Sequence, residues 1–254
     1  MIEIVNINKS FGDNHVLKDV SIVFDPGKSN LLIGASGSGK TTITKCIVGL
    51  HEVDTGRVLY DGKDFGKMNR KQRKELRKEV GFMFQGSALF DSMSSEENVK
   101  FPMVMFSEMT KGEMLKRVDY CLERVGMSGT NKLFPAELSG GMKKRIGIAR
   151  AMAMNPKYMF CDEPNSGLDP QTSILIDNLI KSITEEFNIT TIVVTHDMNS
   201  VLEIGDKISF LYKGEKYWEG TNQEILNTTN TELKHFVYAS KFVSEIAAAK
   251  AKSR

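Results

Sequence analysis

Residues 30–50 read NLLIGASGSGKTTITKCIVGL, and the fold is decided by how this stretch is read. It opens on a short apolar run, Leu31-Leu32-Ile33, bends through a glycine-rich loop and enters an amphipathic segment. Gly34, Gly39, Lys40 and Thr41 stand at the fixed positions of G-x-x-x-x-G-K-[ST], a loop that wraps backbone N–H groups round phosphate oxygens. Glycine serves there because the loop needs unusual φ/ψ and close backbone approach. In such a loop the lysine, Lys40, reaches the β/γ-phosphates as a point charge, and the hydroxyl of Thr41 ligates Mg²⁺. Ile43, Cys46, Ile47 and Leu50 follow at i, i+3, i+4, i+7, so a helix starting at Lys40 turns its positive dipole end toward the same anion. Ala35, Ser36, Gly37, Ser38 and Thr42 complete the expected cradle for the phosphates of a nucleotide.

Composition narrows the setting. The chain has 254 residues, 41% of them hydrophobic, enough for a substantial core. Lys and Arg number 34 against 32 Asp and Glu, and a net charge of +2 argues against a nucleic-acid partner. No apolar run reaches the roughly 18 residues of a membrane span. The start, MIEIVNINKSFG, alternates like a strand and lacks the basic and apolar regions of a signal peptide. Cys46, Cys121 and Cys161 are far apart in apolar settings, which reads as core thiols in a reducing compartment. A cytoplasmic protein is expected, docked to a membrane partner if it has one.

Around the central stretch, residues 1–33 read as strands, with Ile2, Ile4 and Ile7, then Val20, Ile22 and Phe24, and Phe11 in a loop between them. A short strand is expected at Arg57–Tyr60, and the basic run RKQRKELRKEV at 70–80 reads as a solvated helix face. Val80–Phe84 is an apolar run ending at Gln85, followed by the loop-like GSALFDSMSSEEN. Thr110-x-x-Glu113 is a capping box that opens a helix with Met114, Leu115, Val118, Cys121, Leu122 and Val125 inward. Leu138–Met154 reads as a helix behind a Ser-Gly-Gly turn, with Met142, Ile146, Ala149 and Met152 recurring along it. Tyr158–Cys161 is a buried strand that ends in Asp162 and Glu163. A helix from Pro170 to about Phe187 and a strand at Thr190–Thr195 complete a strand–helix alternation that implies a parallel sheet.

Several of these segments fall in one order. Leu138-Ser139-Gly140-Gly141-Met142 resembles the signature motif of the ATP-binding cassette (ABC) ATPases. It precedes YMFCDEP, and Ser166-Gly167-Leu168-Asp169 resembles the family's D-loop. Gln85 matches the Q-loop glutamine, and His196 the switch histidine after the next strand. The resemblance runs from residue 1 to about 230 and implies an α/β P-loop NTPase with a RecA-like parallel-sheet core. An N-terminal antiparallel β region, a helical subdomain at about 86–154 and a C-terminal helical tail at 231–254 go with it.

The resemblance also implies roles. Asp162 would hold Mg²⁺ together with Thr41 and Gln85, and Glu163 would orient or deprotonate the attacking water. Gln85 and His196 would sense the γ-phosphate, and Phe11 would stack on adenine where the family commonly has tyrosine. Ser139, Gly140 and Gly141, with Asp169 of the D-loop, would meet ATP held by a second copy of the chain. The apolar tail residues Leu233, Phe236, Val237, Phe242 and Ile246 are expected to pack on that copy or on a regulatory partner, or on the chain itself. Met142 departs from the glutamine that usually closes the signature.

VGFMFQGSALFDSMSSEENVKFP at 80–102 is similar to the ATPases of the maintenance-of-lipid-asymmetry phospholipid transporters, which also commonly close the signature with methionine. This implies an ATPase energising a separate integral membrane permease from the cytoplasmic face of the inner membrane, with a lipid-binding protein in the same complex. The alternative is the ATPase of a polar solute importer, such as one for amino acids. ABC ATPases of DNA repair or of ribosomes fit less well, since no long coiled coil or second cassette is present.

Overall fold

The computed structural model describes residues 1–238, and Phe242 and Ile246 lie outside the described residues. In chain order the strands are β1 (Ile2–Phe11), β2 (Asn14–Phe24), β3 (Ser29–Ile33), β4 (Thr55–Tyr60), β5 (Lys63–Asp64), β6 (Val80–Met83), β7 (Tyr158–Asp162), β8 (Thr190–Thr195), β9 (Lys207–Tyr212) and β10 (Glu215–Gly220). The helices are α1 (Lys40–Ile47), α2 (Arg70–Lys78), α3 (Ser95–Phe106), α4 (Lys111–Arg124), α5 (Gly140–Met152), α6 (Pro170–Glu186), α7 (Met198–Ile204) and α8 (Thr231–Tyr238). They fall into two compact units, one of residues 1–25, 29–67 and from Val194 on, the other of residues 26–28 and 68–193.

The first unit contains an antiparallel sheet in the order β2-β1-β4-β5. Ile2 and Ile4 obey the two-residue period of a strand, but Ile7 is three residues on. The backbone explains the slip. Asn6 takes a positive φ of 51°, the pairing with β2 shifts register between Ile4 and Ile7, and Ile7 returns to the buried face. Asp19 on β2 also has a positive φ, 53°, and accepts a hydrogen bond from Asn6 Nδ2 at 2.7 Å. Two irregular residues thus face each other across one bulge.

In the same unit β3 pairs in parallel with β9, and β9 pairs antiparallel with β10. Leu31, Leu32 and Ile33 are fully buried, each stabilising the fold by about 1.5–3 kcal/mol through burial. That burial anchors the start of the glycine loop. The terminal helix α8 buries Leu233 and Val237 within the chain, and the Phe236 ring lies 5.4 Å from that of Phe210. Of the alternatives open to the apolar tail, these three residues take the chain itself.

In the second unit β6 and β7 pair in parallel, and the strand order is β8-β7-β6. All of β7 and β8 is buried, as near-continuous apolar runs in parallel sheets are. Helices α3, α4 and α5 pack on one another, and α4 starts at the capping box of Thr110 and Glu113. Helix α2 has no buried residue, as its basic run implied. Helix α3 is the departure: it starts inside the expected loop, where Ser94 and Glu97 form a capping box. Pro102 lies inside α3, and proline at that position removes a backbone hydrogen bond.

Candidate nucleotide-binding and hydrolysis site

The candidate residues are divided between the units. Phe11, residues 34–42 and His196 belong to the first, and Gln85, Ser139–Gly141, Asp162, Glu163 and Asp169 to the second.

In the first unit the loop from Gly34 to Gly39 joins β3 to α1. Gly34 has φ 150°, and an added Cβ would lie 2.3 Å from the carbonyl oxygen of Leu211, so no side chain fits there. Gly39 has φ 106°, and its Cβ would lie 2.7 Å from Leu17 Cδ2. Gly37, at φ 78°, faces open space. Lys40 donates from Nζ to the carbonyl oxygens of Gly34 at 2.7 Å and Ala35 at 2.9 Å, so the loop curls round its ammonium group. Helix α1 has no side-chain cap and no acid in its first turn, which leaves its dipole end to an outside anion. The hydroxyl of Ser38 is buried with no hydrogen-bond partner in the protein, a donor that phosphate would satisfy. Glycine cradle, lysine, orphan hydroxyl and uncapped helix all fit a polyphosphate.

Phe11 is the last residue of β1 and pairs with Asn14, rather than lying in a loop. Its ring is about half exposed, with His51 edge-on at 5.2 Å and Lys9 Nζ 5.4 Å from the centroid. An exposed, buttressed ring is what a stacking platform requires. His196 follows β8 directly and is exposed; its neighbour Asp197 caps α7 by accepting from the N–H of Asn199.

In the second unit β7 carries Asp162 to its buried C-terminal end, and Glu163 follows at a positive φ of 48°. That conformation costs a non-glycine residue roughly 1–2 kcal/mol. Two donors hold it: the Glu163 carbonyl oxygen accepts from the N–H of Ser166 at 3.2 Å and from Lys144 Nζ at 3.1 Å. Burial lowers the Lys144 pKa, against the opposing pull of the Glu163 and Asp162 carboxylates. Asp169 caps α6, accepting from the N–H of Thr172 at 3.0 Å and from its hydroxyl at 2.6 Å, and these bonds hold its carboxyl below the ordinary range. Asp162 and Thr41 are oxygen donors of the kind Mg²⁺ takes, and among the described residues no cluster of three His, Cys, Asp or Glu exists to hold another metal.

The signature turn opens α5. The Ser139 side chain caps it by accepting from the N–H of Met142 at 3.2 Å. An added Cβ on Gly141 would lie 2.6 Å from Thr172 Cγ2, whereas one on Gly140 would sit 3.5 Å from Leu168 Cδ2, an ordinary contact. The Ser-Gly-Gly turn therefore lies against the D-loop and the start of α6.

Gln85 is exposed just beyond β6, and Gly86, Ser87 and Ala88 all have positive φ, at 72°, 68° and 40°. Arg150 on α5 holds this kink by donating to the carbonyl oxygens of Ser87 at 2.6 Å and Ala88 at 2.9 Å. Further on, fully buried Asn98 accepts from the N–H of Phe90 and donates to the carbonyls of Phe90, Met93 and Ser94. Lys144, Arg150, Thr172 and Asn98 were not picked out from sequence. A lysine on an inward face of a helix was the one signal available for Lys144. The cysteines behave as read: burial pushes Cys46 and Cys121 up to about 11 and Cys161 up to about 12, so all three are inert thiols.

The fold and these residues define a phosphate-loop ATPase. Residues 17–166 match the ABC transporter family. The methionine import ATP-binding protein MetN of Clostridioides difficile is 40% identical over 237 residues, covering 93% of this chain and 74% of the relative. The probable ribonucleotide transport ATP-binding protein mkl of Mycobacterium leprae is 34% identical, covering 93% of this chain and 68% of that one. Among solved structures, cbiO1 of Clostridium perfringens, part of an ABC transporter complex, superposes with a TM-score of 0.83 at 29% identity, over 98% of both chains. The ATP-binding cassette MJ0796, a dimer bound to ADP and phosphate after hydrolysis, gives 0.79 at 31% identity, over 87% of this chain and 99% of its own. The chain belongs to the ABC transporter family, as an ATP-binding and ATP-hydrolysing cassette.

Proposed function

We propose that this chain energises a separate integral membrane permease, acting as a pair of copies that sandwich two ATP molecules. The observation that carries the reading is the pair of anion-directed turns on one chain. One is the uncapped glycine loop before α1; the other is the Ser-Gly-Gly turn before α5. Each would serve opposite faces of a different ATP. The loop from Gly34 to Thr42 holds the phosphates, Phe11 takes the adenine ring, and Ser139, Gly140, Gly141 and Asp169 come from the other copy. Thr41, Gln85 and Asp162 would each offer an oxygen to Mg²⁺, which when bound would supply positive charge against the phosphates. Glu163 accepts the proton of the attacking water, while Gln85 and His196 contact the γ-phosphate side.

Binding drives the cycle because ATP contacts both copies only in the closed pair, so it shifts the population toward closure. Hydrolysis removes that bridging contact and the pair reopens. Exposed Phe84 and Phe90, flanking the kink held by Arg150, form the surface for the permease. No helix among the described residues is long and apolar enough to cross a membrane, so attachment at the cytoplasmic face of the inner membrane would run through that permease.

For the cargo, the relatives named as methionine importers support a polar solute of the amino-acid class. A second reading, phospholipid transport with a lipid-binding protein in the complex, is favoured by two specific features: the 80–102 stretch and Met142. Deletion of the gene followed by methionine uptake and envelope lipid assays separates them. Lost uptake with normal lipids supports the importer; normal uptake with altered lipid distribution between membranes supports the lipid reading. If the native protein sediments with ribosomes or DNA rather than membranes, both fail.

A further inference from the structure

We propose that Lys144 is a positioning residue for hydrolysis, fixing the backbone at Glu163 and tying it to the helix that carries the signature turn. The inference rests on the reading of Glu163 as general base. Lys144 lies one turn inside α5, whose first residues are Gly140 and Gly141. It is only 5% exposed, an unusual position for a lysine, and its Nζ donates to the Glu163 carbonyl oxygen at 3.1 Å. The same carbonyl accepts from the N–H of Ser166, the first residue of the D-loop, so both of its lone-pair directions are used.

Geometry makes this contact consequential. Glu163 sits in the left-handed region at φ 48°, where a non-glycine residue stays only if its surroundings hold it. That backbone conformation sets the direction in which its Cα–Cβ bond leaves the chain. Helix α5 is stiff between Gly140 and Lys144, so a shift of the signature turn on meeting the other copy's ATP is transmitted through Nζ to the Glu163 peptide. The ammonium group's hydrogen bond goes to a backbone carbonyl, which makes its role one of placement. A misplacement of about 1 Å in a catalytic group is enough to cost on the order of a hundredfold in rate.

The test uses the full-length chain with Mg·ATP. It measures kcat per nucleotide-binding site, so that loss of folded protein drops out. ATP affinity is read from a fluorescent analogue, and the thermal midpoint is recorded alongside. Lys144→Met is expected to lower kcat about tenfold or more with ATP affinity unchanged, and Lys144→Arg, which still reaches a carbonyl, to recover most of the rate. A wild-type kcat in Lys144→Met, or equal losses in Met and Arg variants, overturns the proposal. Glu163→Gln is run beside them: if it still hydrolyses ATP, the general-base reading fails, whereas an inactive Glu163→Gln with a fully active Lys144→Met overturns the Lys144 inference alone.

Discussion

The guanidinium of Arg150 donates to the carbonyl oxygen of Ser87 at 2.6 Å, across 63 residues of chain. A second bond from the same group reaches Ala88 at 2.9 Å, and the guanidinium carbon lies 5.9 Å from the Phe90 ring centroid. One side chain therefore holds two of the three consecutive left-handed residues beside Gln85. Arg150→Ala is expected to cost about 2 kcal/mol of stability from the lost charged hydrogen bonds. Chemical denaturation of the purified chain measures this. ATP hydrolysis should fall further than the loss of folded protein accounts for, because Gln85 is no longer placed.

Lys40 is wrapped by the loop it serves. Lys40→Ala removes a charge from the expected phosphate cradle and should weaken ATP binding roughly a hundredfold, or about 3 kcal/mol. Titration with a fluorescent ATP analogue checks this. Unchanged affinity would place the phosphates elsewhere.

Neighbouring glycines at the signature should part company. A methyl group at Gly140 meets only ordinary contact, and alanine has less unfolded-state backbone freedom to lose than glycine, so Gly140→Ala should match or exceed the wild type in thermal stability. A methyl group at Gly141 meets Thr172, whose hydroxyl is bonded to Asp169, so Gly141→Ala should lower it. Thermal melts of the two variants without nucleotide decide the point.

Acid should act on the D-loop with a defined sign. Asp169 titrates below its ordinary value, first because the Thr172 hydroxyl and then because its N–H donate to the carboxylate. Its contribution to stability is fully present above the unfolded aspartate pKa of about 3.9 and is lost as pH falls through the lower folded value. The destabilisation caused by Asp169→Ala should therefore be largest at neutral pH and shrink below about pH 4. Denaturation series at several pH values would reveal the trend, and a difference that grows on acidification contradicts it.

Much of this was legible in sequence because its signals are local. The Gly34–Thr41 spacing fixed a strand–loop–helix junction, Thr110 and Glu113 marked a helix start, and the β-branched run at 190–195 marked a strand whose bounds match. What stayed hidden depends on contacts distant along the chain. Ile7 returns inward only because of the bulge at Asn6. Lys144 and Arg150 look like ordinary helix charges until the fold brings Glu163 and Ser87 to them. Leu233 and Val237 could cover either a neighbour or their own chain, and tertiary packing chose the latter.

The central claim is that ATP joins two copies and that Glu163 then releases them. The direct measurement is the molar mass of Glu163→Gln in solution, by size exclusion with light scattering, with and without Mg·ATP. Glu163→Gln should be a monomer without nucleotide and a stable dimer holding two ATP with it, with almost no phosphate release. A Glu163→Gln chain that stays monomeric with ATP bound, or that turns over ATP at the wild-type rate, would contradict it.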